Sequence, residues 1–158
     1  MQRNELEQAL WEQRLSMMRL AVSILRHPQD AEDSVSDAIV RVYLSSSTLK
    51  KENAFKPWVM RITANVCYDL LRKRKREREH LQQVLGLEEL FEMPQEETLF
   101  QVMMRLPKGI AQVLNLYYYE NFSTSEIAQI LSIPGGTVRM RLTRGRRMLR
   151  EMMEEEME

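Results

Sequence analysis

Residues 123–150 read STSEIAQILSIPGGTVRMRLTRGRRMLR, and this stretch decides the fold. Ser123 followed three positions later by Glu126 is the sequence form of a capping box. Ile127, Ala128, Ile130 and Leu131 then supply the apolar side of a short helix. Ser132-Ile133-Pro134-Gly135 reads as a turn, and a last helix runs from about Gly136 into the 150s. A capped short helix, a tight turn and a basic helix make a helix-turn-helix. Projected at about 100° per residue, Val138, Leu142, Gly145 and Leu149 fall on one side and face a core. Gly136, Met140, Thr143 and Arg147 lie opposite, flanked by Arg139, Arg144, Arg146 and Arg150. Arg141 falls about 60° from the core centre by the same projection, where it packs or pairs internally, with Glu126 as a candidate partner. Residues 139–150 hold six arginines and no acid. Like charges so placed repel, and the guanidinium fork suits phosphate or guanine. The DNA-reading set on this helix is Gly136, Thr137, Arg139, Met140, Thr143, Arg144 and Arg147.

Upstream, Pro107 opens a helix with Ile110, Val113, Leu114 and Tyr117 on one side. Residues 79–100 are acidic, carry Gly86 and Pro94 and lack a clean period; Leu81, Val84 and Leu85 could form one short helix there. This segment reads as a linker, with a span of about 25 Å as flexible coil. The fold class is therefore all-α: an N-terminal domain over 1–78, a linker over 79–100, and a helix-turn-helix domain over 101–158 with an acidic tail.

In the first domain, Leu6, Leu10, Met17, Ala21, Ile24 and Leu25 recur at helical spacing and give a helix over about 4–26. Pro28 breaks it. Asp30 is then a good N-cap, with Asp33 completing an approximate capping box. Val35, Ala38, Ile39 and Val42 form the stripe of a second helix, to about Leu44. Ser45 to Thr48 are poor helix formers and start a loop running to Lys56. Pro57 suits the first turn of a third helix, whose buried side is Trp58, Val59, Ile62, Val66 and Leu70. Its polar stripe, Arg61, Asn65, Asp69, Arg72 and Arg76, runs into the basic block 72–78, which sets six positive charges against Glu77. A basic helix preceded by Phe55 and Trp58 suits phosphate contacts with stacking on exposed bases, although both aromatics also fit a core. The acidic start of helix two (Asp30, Glu32, Asp33, with Asp37) serves the helix dipole or a basic protein partner.

The net charge is zero, but its sign is segregated. Five glutamates in 88–97 and five in 151–158 oppose the two basic blocks, and a Debye length of about 8 Å isolates each block. The acidic tail either solvates or folds back on the arginine face, because acid at a helix C-terminus opposes the dipole. Cys67 has no partner for a disulfide and reads as a small core residue. His27 and His80 are far apart, so neither a metal site nor any other cofactor is implied. No apolar run approaches the ~20 residues of a membrane span, and no signal pattern opens the chain, which places it in the cytoplasm.

At these residues the chain resembles the extracytoplasmic-function class of bacterial sigma factors. Asp30-Ala31-Glu32-Asp33 is similar to the acidic signature of the family's polymerase-binding helix. Phe55, Trp58, Ile62, Asn65, Asp69, Arg72 and the basic run resemble its −10-reading helix. Leu106-Pro107, Tyr117-Tyr118, Glu126-Ile127-Ala128, Thr137-Val138 and Arg141 to Arg150 resemble its −35-reading domain. The sequence departs from the common pattern at Ser36 (usually glutamine), Ala111 (often arginine), Gly145 (usually alanine) and the tail. The resemblance implies core RNA polymerase, promoter DNA and an anti-sigma factor as partners. It assigns polymerase binding to Asp30, Glu32, Asp33 and Asp37, and −10 contacts to Asn65, Asp69, Arg72, Lys73 and Arg76. A base flipped from the −10 element would enter the loop 45–56, and no bond-making chemistry belongs to the chain. Two other readings compete: a stand-alone helix-turn-helix regulator, which has no need of the acidic helix two or the 55–76 helix, and a polymerase-binding adaptor that reads no promoter.

Overall fold

The computed structural model describes residues 1–49, 54–81 and 98–157, and every regular element among them is helical. The chain forms two units, Met1–Glu92 and Met93–Glu158.

The first unit holds α1 (Arg3–Leu25), α2 (Pro28–Ser45) and α3 (Phe55–Leu81), each packed on the other two. All six core positions expected on α1 are buried, Met17 and Ile24 fully so, and Leu20 joins them. Each side chain of that size removed from water contributes about 1.5–3 kcal/mol. On α2, Val35, Ala38 and Val42 are buried, whereas Ile39 is half-buried. The turn between the two helices is set by Arg26, which takes the left-handed conformation (φ 57°). The N-cap of α2 is His27, not Asp30: the His27 ring accepts the Asp30 amide at 3.2 Å. Pro28, the apparent breaker, is the first helical residue, where its missing N–H costs nothing. A 3₁₀ turn, Ser46–Thr48, closes α2.

Helix α3 buries Val59 and Val66 as expected, while Trp58, Ile62 and Leu70 are half-buried. Phe55, Met60, Thr63, Ala64 and Cys67 complete its inner side. Thr63 satisfies its hydroxyl on the Val59 carbonyl at 2.8 Å, which makes a buried polar residue tolerable. Burial pushes the Cys67 thiol up to about 12, against a hydrogen bond with Ser34, so no thiolate is available for redox chemistry.

The segment expected as a linker is helical at both ends. Helix α3 continues to Leu81, and α4 (Leu99–Met104) begins under a Thr98–Gln101 capping box that the acidic composition concealed. Val84, Leu85 and the rest of 82–97 lie outside the described residues.

The second unit adds α5 (Lys108–Leu114), a π-helical turn (Asn115–Tyr119), α6 (Thr124–Leu131) and α7 (Gly135–Met157). Pro107 caps α5 from outside, one position earlier than expected. The π turn carries Tyr117 out of the α-helical register, leaving it half-buried. Tyr119 Oη accepts the Phe100 amide at 3.0 Å, and the two rings meet edge to face, tying α4 to the π turn. The Ser123–Glu126 capping box forms as read. Ser132 ends α6 in the left-handed conformation (φ 55°). The turn is therefore Ser132–Pro134, and Gly135 already belongs to α7.

Val138, Leu142 and Gly145 of α7 are buried and Leu149 is half-buried, which matches the projected inner stripe. A Cβ at Gly145 would lie 2.8 Å from a Leu114 methyl and 2.9 Å from Ile110 Cγ2. Gly145 thus lets α7 approach α5 where Ile110 and Leu114 occupy the room. Overpacking costs about 1–3 kcal/mol, and alanine returns up to about 1 kcal/mol of helix propensity. Gly145→Ala is expected to destabilise the second unit by about 1 kcal/mol. A Cβ at Gly109 meets only the Arg141 guanidinium, at 3.0 Å, the movable end of a long side chain. Gly109 is also helical, so Gly109→Ala, read by thermal melting, should be neutral or stabilising by up to about 1 kcal/mol; a loss equal to that at Gly145 would refute this packing account.

Candidate polymerase- and DNA-binding surfaces

Helix α2 presents Glu32, Asp33 and Asp37 to solvent. Asp33 accepts a hydrogen bond from Gln29 at 3.2 Å. Asp30 is placed differently. Its carboxylate, 20% exposed, receives Arg74 of α3 at 2.9 Å and lies 3.7 Å from the His27 ring. This ion pair joins the acidic start of α2 to the basic run of α3. The outer surfaces of α1 and α2 also expose large apolar side chains: Trp11, Leu15, Val40 and Leu44 are each more than half exposed. Between the two helices lies a cleft of about 430 Å³, with Trp11, Ile39 and Tyr43 among its walls and Glu7, Glu32 and Asp33 as its acids.

On α3, Asn65, Asp69, Arg72, Lys73 and Arg76 are all exposed. Asp69 is engaged by two cations, Arg72 one turn later and Arg41 of α2 at 3.5 Å. It therefore holds Arg72 in place along the helix. Phe55 is buried and Trp58 half-buried, with ring centroids 6.1 Å apart; Trp58 keeps part of its ring accessible and neither sequence alternative describes it fully. Of the loop 45–56, residues 50–53 lie outside the described residues.

In the second unit, Gly136, Arg139, Met140, Thr143, Arg144 and Arg147 are exposed and Thr137 is half-buried. Thr143 donates its hydroxyl proton to the Arg139 carbonyl at 3.0 Å, which leaves a methyl group and an acceptor facing outward. The Arg139 guanidinium folds back over the start of α7, within 3.3 Å of where a Gly135 Cβ would sit. Arg141 packs over Gly109 of α5. The Glu126 carboxylate, its suggested partner, is committed to the Ser123 amide at 3.0 Å.

The tail departs from both expectations. It neither frays nor folds back: α7 continues as helix to Met157. Glu, Met, Arg and Leu are strong helix formers, and extension of an existing helix avoids the cost of nucleation, so propensity outweighs the dipole here. Glu151 lies 4.0 Å from Arg147, one turn back. Arg146 lies outside the expected reading set, yet it is engaged by the tyrosines of the π turn. Its Nε donates to Tyr118 Oη at 2.7 Å, and its guanidinium lies 5.5 Å from the Tyr117 ring centroid and 5.9 Å from that of Tyr118. The signal is the tyrosine run 117–119, of which helical periodicity places only Tyr117, on the apolar side.

Comparison with known proteins agrees with this division. Residues 12–77 match the family model for sigma-70 region 2, and residues 96–149 match that for sigma-70 region 4. The ECF RNA polymerase sigma factor SigW of Bacillus subtilis (strain 168) is 30% identical over 152 residues, covering 85% of this chain and 81% of that protein. RNA polymerase sigma factor SigV of the same organism is 27% identical over 143 residues, covering 87% and 84%. Among solved structures, the sigma factor RpoE, in complex with the anti-sigma factor NepR from Bartonella quintana, has the same fold. It aligns with a TM-score of 0.80 at 23% identity, over 95% of this chain and 97% of that one. Two helical units carrying regions 2 and 4 define a sigma-70-type initiation factor. The chain belongs to the extracytoplasmic-function family of RNA polymerase sigma factors, whose work is promoter-specific transcription initiation. No helix among the described residues is long and apolar enough to cross a membrane.

Proposed function

We propose that the domain 1–78 binds core RNA polymerase and the −10 element, that the segment 79–100 connects it, and that the domain 101–158 reads the −35 element. The carrying observation is the separation of charge: an exposed acidic and apolar surface on α2 in one unit, an exposed arginine face on α7 in the other. Glu32, Asp33 and Asp37 meet a basic surface of the polymerase. Asp30 acts from behind them, pinning α3 through Arg74. Along α3, Asn65 faces the opened −10 bases, while Arg72, Lys73 and Arg76 follow the adjacent phosphates. Asp69 orients Arg72 and is not itself a phosphate contact, since its charge repels DNA.

On α7, Arg144 and Arg147 read base edges by their bidentate forks. Met140 and the Thr143 methyl suit thymine methyl groups, and Gly136, Thr137 and Arg139 approach the backbone. The work of the chain is binding, in the cytoplasm, with no catalytic step of its own. The solved relative bound to an anti-sigma factor supports an anti-sigma partner here. In vitro transcription with core polymerase is the test. Transcripts that depend on promoter elements are expected. Core binding without promoter selection would leave an adaptor, and dimeric binding to a palindromic duplex without core would leave a stand-alone regulator.

A further inference from the structure

Arg146 and Tyr118 are both exposed, yet they are already joined. In this bond Arg146 Nε is the donor and the tyrosine oxygen the acceptor, so the tyrosine keeps its own O–H for another acceptor. The Arg146 terminal nitrogens remain as further donors. The Tyr117 ring, edge to face with Tyr118 at 5.0 Å, lies on the same guanidinium. The π turn makes this possible. Its Asn115 carbonyl accepts the Glu120 amide, and the wider coil brings two successive tyrosines to one arginine. Extra-residue turns of this kind gather at functional positions.

Position along α7 supplies the second argument. Arg139, Thr143, Arg146 and Arg150 form one i, i+4, i+7, i+11 row along one flank of the outward face, with Arg146 about 90° from the centre of that face. A helix about 10–12 Å across fills a major groove about 12 Å wide, so its flanks, not its tip, meet the phosphate walls. A guanidinium beside a hydroxyl, two donors of which one is cationic, matches a single phosphate with its several acceptor oxygens.

We propose that Tyr118 and Arg146 form a preassembled two-donor clamp for one DNA backbone phosphate beside the −35 groove, with Tyr117 as its positioning platform. The clamp rests on the reading of α7 as the −35 helix. Because a phosphate contact is independent of sequence, the probe is a fluorescein-labelled 30-base-pair duplex of fixed arbitrary sequence, titrated with the full-length chain at 50–200 mM NaCl.

Arg146→Ala is expected to weaken binding about tenfold at the low-salt end, as loss of a charge-assisted hydrogen bond implies. It should also flatten the salt slope by about one unit. Tyr118→Phe should weaken binding about tenfold, since an O–H donated to an anionic phosphate is also charge-assisted, and leave the slope unchanged because no charge is removed. A contact that merely braces α7 would lower the melting temperature in both variants without changing the slope, and would overturn the clamp. Loss in Arg146→Ala with wild-type behaviour in Tyr118→Phe would overturn it too, leaving an isolated arginine. Arg144→Ala, measured on a duplex that carries the −35 region of a promoter dependent on it, separates the clamp from the reading of α7. If it weakens binding while Arg146→Ala and Tyr118→Phe do not, the clamp fails and the α7 reading stands. If none of the three weakens binding, the α7 reading itself fails.

Discussion

Arg144→Ala combined with Arg147→Ala is expected to reduce transcription from a −35-dependent promoter by at least about 30-fold. Each arginine that reads a base contributes about 1–3 kcal/mol, and 1.4 kcal/mol is tenfold. The pair together spans about 2–6 kcal/mol if the two act independently. Both side chains are exposed, so neither truncation opens a cavity. What the pair loses within the protein is the 4.0 Å contact of Arg147 with Glu151, an exposed i, i+4 pair worth a few tenths of a kcal/mol. The melting temperature should accordingly hold while promoter output falls. Arg139 is left out of the variant because its guanidinium lies over the start of α7 and its removal would mix helix stability with DNA binding. The measurement is abortive-initiation yield from reconstituted holoenzyme, on templates with and without the −35 region. A matching loss on the template lacking that region would place the arginines outside −35 recognition, and undiminished output would refute the orientation assigned to α7.

The helix-turn-helix was legible because its signals are local. A capping box, a turn and a 3.6-residue period each occupy a few consecutive residues, and the inner stripe Val138, Leu142 and Gly145 follows from geometry alone. What escaped the sequence depends on partners distant along the chain or on competition between local effects. Asp30 reads as an N-cap because nothing local reveals Arg74, 44 residues away; the capping role of His27 does have a local signal, since Pro28 is favoured as a first helical residue. Arg141 was correctly placed on the border, but Gly109 as its neighbour needs the α5–α7 packing. The pairing of Tyr118 with Arg146, 28 residues apart, was hidden for the same reason and by the π turn, which shifts the face by one residue. The tail was misjudged by weighing the dipole above propensity. Among the departures from the family pattern, Gly145 has a steric account in Ile110 and Leu114; nothing in the structure explains Ser36.

Reversing charge on the outer side of α2 tests the other half of the molecule. Glu32→Lys, Asp33→Lys and Asp37→Lys together change the local charge by six units, and binding to core polymerase should fall by at least about 100-fold. Close charge pairs across interfaces carry coupling energies of about 1.5–7 kcal/mol, and like charges brought together cost several more. The three carboxylates are exposed, and the hydrogen bond from Gln29 to Asp33 is a solvent-facing pair, so the fold tolerates their loss. The acid of the first turn of α2 is Asp30, which this variant keeps, and the helix dipole fades beyond that turn, so the melting temperature should fall little. Asp30→Asn is the informative contrast. It leaves the outer charges untouched but breaks the bond to Arg74, so it should loosen the end of α3 and impair −10 opening more than core binding. Competition for core polymerase against a labelled copy of the native chain separates the two. If the triple reversal competes as well as the native chain, the acidic face of α2 is not the polymerase surface, and the exposed Trp11 and Leu15 of α1 become the next surface to substitute.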